Sequence, residues 1–123
     1  MGMFVISTRA KGDYKFTFTS RKGKTIFTSI SHKEKIDCEA MIAAIREDIT
    51  RFTITKNTTA SGKHFFRITK DGLVLATSRK YTTPLLLQKG IDELTRSLRT
   101  AEVLDFSDGA FVYPDAGEIF GDA

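Results

Sequence analysis

The side chains best suited to proton transfer or nucleophilic attack are few: His32, His64 and the single cysteine, Cys38. His32 falls in Ser31-His32-Lys33-Glu34, which reads as a helix start, so it is expected as a cap-region or surface residue. His64 alternates in phase with Phe66 and Ile68, which predicts a histidine at the rim of a core making one hydrogen bond. Cys38 sits on an apolar stripe at helical spacing, where a small buried hydrophobe fits better than an activated thiolate. A lone cysteine also excludes an internal disulfide and any multi-cysteine metal site. The chain contains no Ser/His/Asp, Cys/His or His-Glu-x-x-His arrangement.

Gly12, Gly23, Gly62 and Gly72 fall at separate turns and never form a phosphate-cradling loop. Asp105, Asp108 and Asp115 lack the spacing of a calcium loop. The expectation is therefore a non-enzymatic protein with no cofactor, no metal and no small-molecule substrate.

What remains is charge and aromatic surface. The net charge of +4 over 123 residues conceals a split. Residues 1–100 carry all nineteen Lys and Arg against nine Asp and Glu, whereas residues 101–123 carry six acids and no base. A basic body attracts polyanions, because neutralising phosphates releases counterions. The tail interleaves Phe106, Phe111 and Tyr113 with its acids, a composition suited to lying over a basic, partly apolar surface or to remaining disordered. No apolar run approaches the roughly 20 residues that span a bilayer, and the start lacks a signal-peptide pattern. A cytoplasmic protein with no membrane partner is expected.

The elements that must carry these residues come in two copies. Phe4-Val5-Ile6 matches Phe52-Thr53-Ile54, Gly12 matches Gly62, and Phe16 and Phe18 match Phe66 and Ile68. After a slip of one residue, Gly23 matches Gly72, Thr28-Ser29 matches Thr77-Ser78, Ile42 matches Ile91 and Ile45 matches Leu94. Within each copy, strict alternation predicts strands, and Asp71-Gly72 suits the positive φ angles of a type I′ hairpin turn. Helical spacing follows at Cys38, Met41, Ile42, Ile45 and Ile49, and again at Leu87, Ile91, Leu94 and Leu98. Thr83-Pro84 reads as an N-cap followed by a first-turn proline, and Gly90 predicts close approach of another element. A copy of about 48 residues is too small for a secure core. The predicted architecture is α+β. Two tandem β-β-β-α repeats, 3–50 and 51–100, form one pseudo-symmetric domain with one antiparallel sheet and both helices on one face. Residues 101–123 follow as an acidic tail.

These residues carry a resemblance. Phe-x-Ile, Gly-x-Tyr-x-Phe-x-Phe, a Gly turn, Ile-x-Thr-Ser and the helix with Gly90-Ile91 resemble the YegP-like tandem-repeat family over residues 3–99. The second copy, with Ser78-x-x-Tyr81 and Lys89-Gly90-Ile91, is similar at more positions than the first, which has His32 and Ala40-Met41 there. The resemblance implies β3-α units that share a sheet and exchange helices across a pseudo-twofold, and it carries no catalytic residues.

Alternation places Phe4, Ile6, Phe16, Phe18, Ile26, Phe52, Ile54, Phe66, Ile68 and Leu75 inward. Outward it leaves Lys15, Thr17, Thr19, Thr53, Thr55, Arg67 and Thr69, with two large rings, Phe27 and Phe65. Two partners suit such a face. RNA or a ribonucleoprotein, the ribosome included, would be met by Lys15, Arg21, Lys22, Lys24, Arg67, Lys70, Arg79 and Lys80, with Phe27 and Phe65 stacking or packing on bases and sugars. Alternatively, a protein partner or a homodimer would use Phe27, Phe65, Phe106, Phe111 and Tyr113.

Overall fold

The computed structural model describes residues 2–9 and 12–107. In chain order these form β1 (Met3–Thr8), β2 (Tyr14–Thr19), β3 (Thr25–Ser29), α1 (Lys35–Glu47), β4 (Thr53–Thr58), β5 (His64–Lys70), β6 (Leu73–Ser78), α2 (Pro84–Ser97) and β7 (Glu102–Asp105). The fold is α+β, and its seven strands make a single sheet in the order β4-β5-β6-β3-β2-β1-β7. Strands β3 and β6 pair antiparallel at its centre, through Phe27 opposite Ser78 and Ser29 opposite Ala76.

The sheet is mixed, where an all-antiparallel one was expected. Strand β7 runs parallel to β1, with Phe4 opposite Val103 and Ile6 opposite Asp105. The sheet thus extends into the segment expected as an acidic tail, held there by the backbone ladder to β1 and by the ion pair of Asp105 with Lys35. Past Asp105 the Phe106 N–H donates to the Ile6 carbonyl at 2.9 Å.

One contiguous core joins the sheet to both helices, including Phe4, Phe16, Phe18, Phe66 and Ile68 with Ile42, Ile45, Ile91 and Leu94. The dominant helix–strand packings are α1 on β2 and α2 on β5. Each helix therefore lies chiefly on the middle strand of the three that precede it, rather than being exchanged.

Two β-bulges shift the alternation that a simple strand would show. Phe18 faces Phe27 and Thr19 faces Thr25, so Ile26 is an extra residue in β3. Likewise Ile68 faces Ala76 and Thr69 faces Val74, which leaves Leu75 extra in β6. A bulge lets two successive side chains point to one side, and Ile26 with Phe27, and Leu75 with Ala76, are all buried. Phe27, expected on the outer face, is fully buried for this reason.

Beyond each bulge stands a buried serine. The Ser29 hydroxyl accepts from the Phe16 N–H at 2.9 Å and donates to the Ile30 carbonyl at 2.8 Å. Ser78 does the same with Phe66 N–H at 2.8 Å and the Arg79 carbonyl at 2.7 Å. Each hydroxyl satisfies a strand N–H that the bulged ladder would leave unpaired.

The pairing register also corrects the expected match of Phe4 with Phe52. Phe4 faces Phe18 and Ile54 faces Ile68, so Phe4 occupies the place of Ile54, and Ile6 that of Lys56. Phe52 precedes β4 and packs under Lys70, whose Nζ lies 5.3 Å from its ring centroid.

The helix starts differ from one another. Thr83 caps α2 by accepting from Leu86 N–H at 3.1 Å, as the sequence predicts. Helix α1 begins at Lys35 with Glu34 as an N-cap that makes no side-chain cap bond, so the expected capping box at Ser31 does not form. Residues 31–34 are instead occupied by a bridge that pairs His32 with Tyr14. The turn at Asp71-Gly72 has φ of 52° and 81°, as a type I′ turn needs.

Candidate functional site

Strand direction sorts the loops into two ends of the sheet. The turns 20–24 and 59–63 and the segment 79–81 leaving β6 lie at one end. The turns 9–13 and 71–72 and the segment 30–34 leaving β3 lie at the other. The first set contains Arg21, Lys22, Lys24, Lys63, Arg79 and Lys80 and no acid. The second mixes signs in equal number, with Arg9, Lys11 and Lys33 against Asp13, Glu34 and Asp71.

Hydrogen bonds tie the basic segments together. The Arg79 N–H donates to the Ile26 carbonyl at 2.9 Å, which sets residues 79–80 beside the start of β3 and its turn. On the other flank, Phe66 N–H meets Ser78 and His64 N–H meets the Tyr81 carbonyl at 2.8 Å. Arg79 and Lys80 therefore lie opposite Phe65. The half-buried Phe65 ring carries the Arg67 guanidinium 5.1 Å from its centroid, and Arg79 sits 5.6 Å from the Tyr81 centroid. Stacked this way, each guanidinium keeps its in-plane N–H groups free to meet phosphate oxygens.

Of the expected nucleic-acid residues, the structure thus brings together Arg21, Lys22, Lys24, Phe65, Arg67, Arg79 and Lys80. Lys15 and Lys70 belong to the opposite end of their strands. Phe27 is removed altogether, packed against Phe4, Phe16 and Phe18 with centroids 5.6 to 6.4 Å away. Lys63 was missed. Only the sheet order reveals it, since the 59–63 turn adjoins the 79–81 segment, which lies between it and the 20–24 turn. Among the expected protein-contact residues, Phe106 is exposed at the end of β7, while Phe111 and Tyr113 lie outside the described residues.

The groups with chemical potential are tied up locally. Burial pushes the Cys38 thiol up to about 11, with Glu39 and Asp105 adding to the effect, so it stays protonated. His32 stacks on Phe16 at 6.1 Å, and burial lowers its pKa against an opposing pull from Asp37, which keeps the ring neutral near pH 7. Its Nε2 is buried without a partner. It lines a cleft of about 320 Å³ with Asp37, Met41, Phe52 and Lys70. His64 Nδ1 meets Thr58 Oγ1 at 3.3 Å, matching the expected rim position with a single bond. Among the described residues no three His, Cys, Asp or Glu side chains gather as a metal site. No helix there is long and apolar enough to cross a membrane.

No family model matches the chain, and no curated protein does. Two solved structures are similar. One is a UPF0339 protein from Shewanella oneidensis, 19% identical, with a TM-score of 0.77 over 86% of this chain and 92% of that one. The other is yegP from E. coli, a protein of unknown function, 24% identical, also with a TM-score of 0.77, over 88% of this chain and 95% of that one. At such identities the likeness is one of fold, and the chain has a YegP-like fold.

Proposed function

We propose that this chain is a non-enzymatic, cytoplasmic RNA-binding module, built by tandem duplication of a β-β-β-α unit with both helices on one face of the sheet. The observation that carries the RNA reading is the segregation of charge: six cations and no acid in the three neighbouring segments at one end of the sheet. A surface of that kind holds phosphates, and the guanidinium stacked on Phe65 can follow a backbone from the end onto the threonine-rich face. Folded RNA or a ribonucleoprotein fits better than base-specific duplex DNA, because α2, the helix that follows the 79–81 segment, opens with Pro84, Leu85, Leu86 and Leu87 rather than with base-reading side chains.

The test is fluorescence anisotropy with mixed RNA at about 50 mM salt, titrated upward. Five or six phosphate contacts give a log–log salt slope of about −4 for single strands. Arg79→Glu with Lys80→Glu should weaken binding at least about tenfold and flatten that slope, whereas Lys70→Glu at the far end should change it less than about twofold. Undetectable binding, or equal loss from Lys70→Glu, overturns the reading.

A further inference from the structure

The two outermost β-β-β strands, β1 and β4, end the sheet in equivalent ways, but only β1 is covered. Phe66 and His64 direct their N–H groups toward β6, to Ser78 and Tyr81. Alternation then turns Phe65, Arg67 and Thr69 toward β4, where they face Asn57, Thr55 and Thr53. The backbone N–H and C=O of Ile54 and Lys56 consequently aim outward from the sheet edge. They are the counterparts of Phe4 and Ile6, whose outward groups β7 uses, as the Phe106 N–H to Ile6 carbonyl bond shows.

The two edges also differ in charge. Opposite Ile6, strand β7 places Asp105, whose carboxylate pairs with Lys35 of α1. At the Ile6 position of the open edge stands Lys56, on the helix side, its Nζ donating to Gln88 Oε1 of α2 at 2.6 Å. An inward-leaning lysine on an open edge repels indiscriminate strand pairing. It accepts a strand that brings a carboxylate to the same place, which makes it a selectivity element as well as a guard.

We propose that the β4 edge is a docking site for an extended segment of another protein, added as an eighth strand parallel to β4. The segment carries an apolar residue beside Ile54 and a carboxylate two positions later beside Lys56. Two features support this occupant: the chain's own β7 has that pattern, Val103 and Asp105, on the matching edge, and the open strand itself is cationic, with Lys56 and no acid over Thr53–Thr58. Main-chain bonds supply the affinity and the Lys56 pairing supplies the choice.

Ile54 and Lys56, which receive the added strand, are not among the residues assigned to RNA, so either reading can fail alone. The probe is a capped synthetic peptide of residues 101–107, Ala-Glu-Val-Leu-Asp-Phe-Ser, added to the full-length protein and followed by amide exchange and anisotropy. The expected result is slowed exchange at Ile54 and Lys56. Lys56→Glu should weaken binding about tenfold, and a peptide with Lys in place of its Asp should recover it on that variant. Lys56 is exposed, so the variant should keep its fold, which circular dichroism checks. Exchange unchanged at Ile54 and Lys56, changes confined to Phe4 and Ile6, or equal binding by Lys56→Glu would each overturn the proposal. So would a concentration-dependent dimer abolished by Lys56→Glu, which would assign the edge to a second copy.

Discussion

The β1–α1 half and the β4–α2 half share bulges, serines and turns, but their interiors differ. The first packs four rings, Phe4, Phe16, Phe18 and Phe27, with neighbouring centroids 5.0 to 6.4 Å apart. At the same positions the second has Ile54, Phe66, Ile68 and Ala76. The first half also has its edge closed by β7, and Ile6 there is fully buried, whereas Lys56 is exposed. Core volume and edge closure go together here: the edge that β7 covers carries the apolar Ile6, and the open edge carries the charge that discourages strand pairing. The bridging pairs are likewise reversed. Tyr14 meets His32 in one half, and His64 meets Tyr81 in the other, through reciprocal backbone bonds of 2.6 to 2.8 Å.

The strongest way to break this contrast is Phe27→Ala. It gives the first half the residue that the second already has, and it should cost about 3–5 kcal/mol in urea unfolding, because three rings lose a partner. A cost below about 1 kcal/mol would mean that the aromatic cluster is not the asset described.

Next come the serines. Ser29→Ala and Ser78→Ala each strand a strand N–H, at about 1–3 kcal/mol apiece. Because the two do one job in two halves, their effects should be equal within about 0.5 kcal/mol and additive in the double variant. Inequality would show that the halves do not bear load alike.

Gly90→Ala sharpens the comparison further. A Cβ there would collide with the Tyr81 hydroxyl and ring, so the variant should lose about 1 kcal/mol even though alanine is the better helix former. The matching change in the first half, Met41→Ala, meets the smaller His32 ring and makes no such clash. Thermal melts of the pair decide the point.

The smallest effect concerns the covered edge. Burial raises the Asp105 carboxyl, but Lys35 and Ser107 more than offset this and hold it below the usual carboxylate range. A carboxyl depressed in the folded state stabilises above its unfolded value, about pH 3.9, and that support fades as pH falls through the lower folded value. Protection of the Phe106 amide, its exchange relative to the intrinsic rate at each pH, should therefore fall below about pH 4, and Lys35→Met should remove this dependence at a cost of about 0.5 kcal/mol. A Phe106 amide indifferent to both changes would detach the ion pair from the hold on β7.

Much of the strand–helix order was legible, since alternation and helical spacing are local. Tyr14, Phe16 and Phe18, the Thr83 cap and the Asp71-Gly72 turn sit as the sequence implies. Phe27 was misplaced because a bulge inverts alternation without changing residue types, and the Thr-Ile-Phe-Thr-Ser run reads equally well with or without one. Phe4 was matched to Phe52 because a slip of two residues preserves the inward parity, so only cross-strand partners distinguish the registers. Among the site residues, the basic turns were visible one by one, but the separation of Lys15 and Lys70 from the others was not.

By itself the sequence determined which segments extend or coil, where the chain reverses, and that cations dominate up to residue 100. Those properties depend on neighbours a few residues away. Tertiary structure alone decided that β3 and β6 join the halves and that Glu102–Asp105 closes one edge while β4 stays open. It also decided that six cations from three distant segments share one end. Each of these depends on pairing between strands far apart in the chain, and backbone hydrogen bonds of that kind carry almost no residue-specific signature.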